Sequence, residues 1–134
     1  GAFPVRRGEP DRRALRQAEA VLREGLALGM FPEGTRSRTA QLQRPKAGTS
    51  LIALGAGAPI LPVGISGSEA ISGLGFIFRR PKITVNVGRS FTLPRREGKV
   101  TAAQLDRLSD VIMEHIADLL PESYRGVYGR SKDG

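Results

Sequence analysis

Between Phe31 and Ser37 the chain reads Phe-Pro-Glu-Gly-Thr-Arg-Ser, which sets a carboxylate, Glu33, three residues before a guanidinium, Arg36. The planar donor fork of an arginine matches phosphate oxygens in pairs, so Arg36 is a candidate anion holder. Glu33 can accept hydrogen bonds, either from a ligand hydroxyl or from the loop's own backbone. Gly34 lets the backbone come close to a ligand, and the Thr35 hydroxyl can bond a neighbouring amide. A plain ion pair between Glu33 and Arg36 on the surface would use the same residues and contribute little. Other chemistries are bounded more tightly. The chain has no cysteine, which excludes a disulfide framework and thiolate catalysis and fits a cytosolic face.

The elements around these residues follow from periodicity. Asp11 is a candidate N-cap, and Leu15, Ala18, Val21 and Leu22 recur at helical spacing up to a stop at Gly25. Leu26 to Phe31 reads as a short buried strand, which puts Glu33 and Arg36 at a strand exit, where open α/β sheets present ligand sites. Ser37 to Pro45 is a polar loop. Leu51, Ile52 and Leu54 give a short helix closed by Gly55 and Gly57. Ile60 to Ile65 is a strand that Pro59 and Pro62 confine to an end, bulge or edge. Ile83, Val85 and Val87 alternate with polar neighbours as in a half-buried strand, and Phe91 to Leu93 extends or follows it.

Thr101 and Gln104 form a capping box ahead of a helix faced by Leu105, Leu108, Val111, Ile112, Ile116 and Leu119, which stops before Pro121. The single histidine, His115, falls inside this helix. Interspersed helices and strands predict an α/β fold, a layered sheet covered by helices. Residues 122 to 134 read as a frayed tail.

The 134 residues, 40% apolar, fit one domain. With 21 basic and 13 acidic residues the net charge of +8 favours anionic partners, although a compositional bias towards arginine would give the same charge. The longest apolar stretch, Ala56 to Ile65, is too short to cross a bilayer. Ile71 to Arg80 sets Phe76 and Phe78 beside Arg79 and Arg80, a composition that suits either a bilayer interface or a core strand.

Taken in order, several stretches resemble the glycerophospholipid acyltransferase family. Phe31 to Ser37 is the most specific of them. Gly1 to Arg7 looks like the preceding block with its closing arginine at Arg7, although Arg6 stands where the family often has an acidic residue. Lys46 and Gly48 occupy the places of a following lysine and glycine, and Ala58 to Val63 looks like the last block. The family's first block, a histidine followed five residues on by an aspartate, has no counterpart here: five residues after His115 stands Leu120.

The resemblance implies a glycerolipid acyltransferase-like fold, N-terminally truncated, with residues 1–121 as the C-terminal part of an acyltransferase domain and 122–134 as a tail. It implies transfer of a fatty acyl group from acyl-CoA or acyl carrier protein to 1-acyl-sn-glycerol-3-phosphate, giving phosphatidate, with no cofactor or metal. The substrate-binding set would be Arg7, Glu33, Gly34, Thr35, Arg36 and Lys46, with Glu33 near the glycerol moiety and the three cations cradling phosphate. The catalytic histidine and aspartate are absent from the set, so the chain is expected to be inactive alone and to belong to a protein at the cytoplasmic face of a membrane. Glycerol 3-phosphate or another lysolipid is the alternative acceptor. A basic, non-catalytic module for anionic membrane or nucleic acid is the alternative class. Nucleic acid is the weaker of these two, because five phenylalanines and two tyrosines are too few and too isolated for a stacking surface.

Overall fold

The computed structural model describes residues 12–71, 80–94 and 98–129. Helix α1, Arg12–Arg23, turns Ala14 and Ala18 inward, and these small side chains let it lie close to helix α2, Gly48–Ala56. Its end is a Schellman motif: Gly25, at φ +76°, sends its N–H to the Leu22 carbonyl, and Leu26 sends its own to Val21. α2 closes on Gly57 in the left-handed region. The stops read at Gly25 and Gly57 therefore hold for a backbone reason, whereas Gly55, also read as a stop, lies within α2.

Strands β1, Val63–Ser66, and β2, Thr84–Val87, form a two-stranded antiparallel sheet in which Val63 pairs with Val87 and Ile65 with Val85. Pro62 sits immediately before β1, so its missing N–H costs the ladder nothing, and its carbonyl accepts from Gly88. Beyond it, Ile60 and Phe91 exchange both backbone bonds as an isolated bridge. Helix α3, Ala102–Ala117, starts with the capping box read from the sequence, Thr101 bonding the Gln104 amide and Gln104 bonding back.

The core is where α2, α3 and the segment after β2 meet: Ala53, Leu93, Leu108 and Ile112, with Leu54, Ile60, Phe91 and Ile116 against them. One polar pair crosses it. The Ser50 and Ser109 hydroxyls lie 2.8 Å apart, both side chains almost wholly buried, and Ser50 also donates to the Ala47 carbonyl. The inner face of the α3 pattern is Leu108, Ile112 and Ala117 together with Ser109 and Met113, while Val111 points outward.

Three expectations change. Leu26 to Phe31 is neither a strand nor buried: Phe31 is 81% exposed and Leu26 57%. A strand needs a paired neighbour, and among the described residues none lies beside this stretch. The alternation in β2 is real, but its apolar residues face out with those of β1, so Val63, Ile65, Val85 and Val87 make one exposed apolar face. The inner face carries small residues, and Gly64 is so close to α3 that a Cβ would sit 2.9 Å from that of Leu119. The fold is thus a small α/β arrangement of three helices and a two-stranded sheet among the described residues. Finally, the tail is folded through residue 129, into 3₁₀ turns at Glu122–Tyr124 and Gly126–Tyr128, with Arg125 Nε donating to the Leu120 carbonyl. Residues 72–79, where an interface segment was read, lie outside the described residues.

Candidate functional site

The heptapeptide opens a loop whose neck is closed by two hydrogen bonds. Lys46 N–H donates to the Pro32 carbonyl at 2.8 Å, and Gln43 N–H donates to Glu33 Oε2, also at 2.8 Å. The Pro32 backbone carbonyl is the first acceptor, and the carboxylate at 33 supplies the second. At the tip of the neck Gly34 adopts φ +68° while its N–H bonds the Phe31 carbonyl. The Lys46 side chain crosses directly over it: a Cβ on Gly34 would lie 3.1 Å from Lys46 Cγ. Glycine is needed there both for the backbone angle and for the lysine stem.

Ser37 organises the far side of the loop. Its hydroxyl accepts from the Thr39 and Gln41 amides at 3.3 and 3.1 Å, an ST-type turn that leads into Ala40 at φ +58°. From Pro32 to Lys46 the loop carries Arg36, Arg38, Arg44 and Lys46 against the single carboxylate Glu33, and all four cations are exposed. Such a surface attracts anions, and being wet it does so in a salt-dependent way.

Of the expected site residues, Glu33, Gly34 and Lys46 are brought together, with Thr35 and Arg36 following on the same exposed turn. The Glu33 to Arg36 ion pair weighed from sequence is not found among the described residues; the carboxylate accepts the Gln43 amide. Arg7 lies outside the described residues. Sequence reading passed over Arg38 and Arg44, whose signal was plain in the basic run, and Ser37, whose role depends on turn geometry. His115 stands apart, exposed on α3 and stacked on Phe91 with ring centroids 3.9 Å apart. No group of three or more metal-ligating side chains occurs among the described residues, and no helix is long and apolar enough to cross a membrane.

Fold and loop together define a small α/β domain that exposes a basic loop closed on its own carboxylate. The family model described as Acyltransferase matches residues 1–66, a span that contains the heptapeptide and its neck. A 1-acyl-sn-glycerol-3-phosphate acyltransferase of Cocos nucifera is 31% identical over 117 residues, covering 87% of this chain and 37% of its own length. The enzyme of the same name from Borreliella burgdorferi is 43% identical over 60 residues, 40% of this chain and 24% of that protein. A probable one from Mycoplasma pneumoniae is 42% identical over 55 residues, 41% of this chain and 21% of its own. The chain thus spans 21 to 37% of the length of these relatives. No solved structure matches it significantly. The family model and the names of these relatives support a PlsC-like acyltransferase family for the matched part of the chain.

Proposed function

We propose that this chain holds the phosphate-bearing acceptor of an acyl transfer, 1-acyl-sn-glycerol-3-phosphate, and that Arg36 and Lys46 bind its phosphate. The observation that carries the reading is the crossing of the Lys46 stem over Gly34, at the turn that Arg36 follows two residues further on. The names of the relatives support the acceptor's identity. Fixing a phosphate by paired cations orients the neighbouring hydroxyl, and that orientation is the entropic share of catalysis. Phe31, largely exposed at the start of the same loop, suits a substrate whose acyl chain lies in a membrane surface and whose headgroup stands above it. The acyl donor would be a thioester of coenzyme A or acyl carrier protein, with no cofactor invoked, at the cytoplasmic face. The general base of the reaction would be a histidine other than His115.

Calorimetric titration with short-chain lysophosphatidate, neutral 1-acylglycerol and sn-glycerol 3-phosphate tests the reading. Arg36→Ala should weaken lysophosphatidate binding about ten- to a hundredfold, the scale of one or two charge-assisted hydrogen bonds. The neutral lipid should bind weakly to both forms. Equal binding of the neutral lipid, or an Arg36→Ala affinity like that of the parent chain, would refute the assignment. Tight binding of sn-glycerol 3-phosphate with no gain from the acyl chain would move the acceptor to the alternative.

A further inference from the structure

We propose that the two 3₁₀ turns after α3 form a clasp that positions the phosphate-holding loop, with Tyr124 and Gly126 as positioning residues; this rests on the acceptor reading above. Within the loop, the outer limb, residues 40–42, is held only where the Gln41 N–H donates to Ser37 Oγ, and its other contacts come from outside the loop. The clasp holds that limb directly. Leu42 N–H donates to the Tyr124 carbonyl at 2.8 Å, and the Gln41 side-chain amide donates to the Ser123 carbonyl at 3.3 Å. Gly126, at φ +52°, lies flat against the same residues: a Cβ there would stand 2.2 Å from the Leu42 carbonyl oxygen and 3.1 Å from its nitrogen. No residue but glycine fits this contact without displacing the loop.

The clasp is in turn fixed to both layers of the fold. The Tyr124 hydroxyl donates to Glu69 Oε1 at 2.5 Å, in the turn that follows β1. The Tyr128 hydroxyl donates to Asp110 Oδ1 at 2.6 Å on α3, and Arg125 is tied to the Leu120 carbonyl just past that helix. Arg44 of the loop shares a surface cleft with Asp110, Glu114, Val127 and Tyr128. A continuous line of contacts therefore runs from β1 through Glu69, Tyr124, Leu42, Gln43 and Glu33 to the turn that bears Arg36. Ala40 keeps its left-handed backbone inside this frame, a conformation that persists only where the surroundings enforce it.

The experiment combines amide hydrogen exchange with lysophosphatidate titration on the whole chain. Gly126→Ala should speed exchange at Leu42 and Gln43 about tenfold or more, with α3 amides unchanged, as expected for a local opening. It should weaken lysophosphatidate binding by a similar factor, and lysophosphatidate should in turn slow Leu42 exchange in the parent chain, since coupling is reciprocal. Because Gly126→Ala could disturb folding more widely, a milder pair accompanies it. Glu69→Leu removes the acceptor for Tyr124 and should reproduce the effect in smaller measure, whereas Glu69→Gln keeps a carbonyl acceptor and should restore it. A merely structural role would lower stability in both Glu69 variants without separating their affinities. Unchanged Leu42 exchange in Gly126→Ala would overturn the clasp. Faster exchange with undiminished lysophosphatidate affinity would overturn the positioning role while leaving the acceptor reading intact. A parent chain that binds no lysophosphatidate would remove the acceptor reading and the positioning role with it, and the exchange data would then show whether the clasp itself exists.

Discussion

Glu33 is read from sequence in two ways, as a partner of the acceptor's glycerol moiety or as a fastener of its own loop, and the two can be separated. Its Oε2 accepts the Gln43 amide at 2.8 Å across ten residues of chain, in a half-buried setting. A hydrogen bond to a charged acceptor contributes about 1.5–3 kcal/mol net, and water access at this site brings that down to about 1–2 kcal/mol. Glu33→Ala removes the acceptor and should open the neck by that amount. Since about 1.4 kcal/mol is tenfold in an equilibrium constant, Gln43 exchange should rise roughly tenfold. Glu33→Gln keeps a carbonyl oxygen in place and loses only the charge assistance, so the rise should be about two- to threefold, the scale of roughly 0.5 kcal/mol.

Hydrogen exchange at Gln43 and Lys46 measures the opening, and titration with lysophosphatidate measures its consequence. If Glu33 acts as a fastener, affinity follows the exchange rates: near that of the parent chain for Glu33→Gln and clearly reduced for Glu33→Ala. If Gln43 exchanges no faster in Glu33→Ala, the carboxylate does not hold the neck. If Glu33→Gln keeps the neck closed yet loses binding as fully as Glu33→Ala, the carboxylate acts on the ligand and the fastener argument fails.

Other expectations come from elsewhere in the fold. Ser50→Ala leaves the buried Ser109 hydroxyl without the partner found among the described residues, so it should cost about 1–3 kcal/mol in denaturant unfolding; the double variant with Ser109→Ala should cost less than the sum of the single ones, and strict additivity would argue against the pair. Burial and then the Asp110 hydrogen bond push the Tyr128 phenol above its ordinary value, and the Glu69 hydrogen bond pushes Tyr124 the same way. A raised phenol favours the fold below its ordinary value near 10.0 and loses that contribution as pH climbs through the folded value, so the denaturation midpoint should fall above pH 10 and fall less in Tyr128→Phe; equal alkaline losses in the two chains would refute this.

What could be read from the sequence was whatever local backbone chemistry dictates. The capping box at Thr101 and Gln104 and the glycine stops at Gly25 and Gly57 stand because each is decided within a few residues. The proline at 62 likewise marks where β1 can begin. The direction in which a strand's apolar face points is not local. Val85 and Val87 alternate as expected yet face outward, and Leu26 to Phe31 has strand composition without a strand beside it among the described residues, because burial needs a neighbour that periodicity cannot supply.

The tail shows the same division most clearly. Residues 122–129 lack an apolar repeat and so read as frayed, yet they hold both tyrosines of the chain, and aromatic side chains are scarce in solvated ends. Their fold depends on partners far away in sequence: Tyr124 needs Glu69, Tyr128 needs Asp110, and Gly126 needs the backbone of Leu42. The heptapeptide announces a ligand loop by its residue types, but those types say nothing of what steadies it. The steadying contacts are backbone carbonyls and one glycine, which carry no signature except in space, so the loop was legible while its clasp was not.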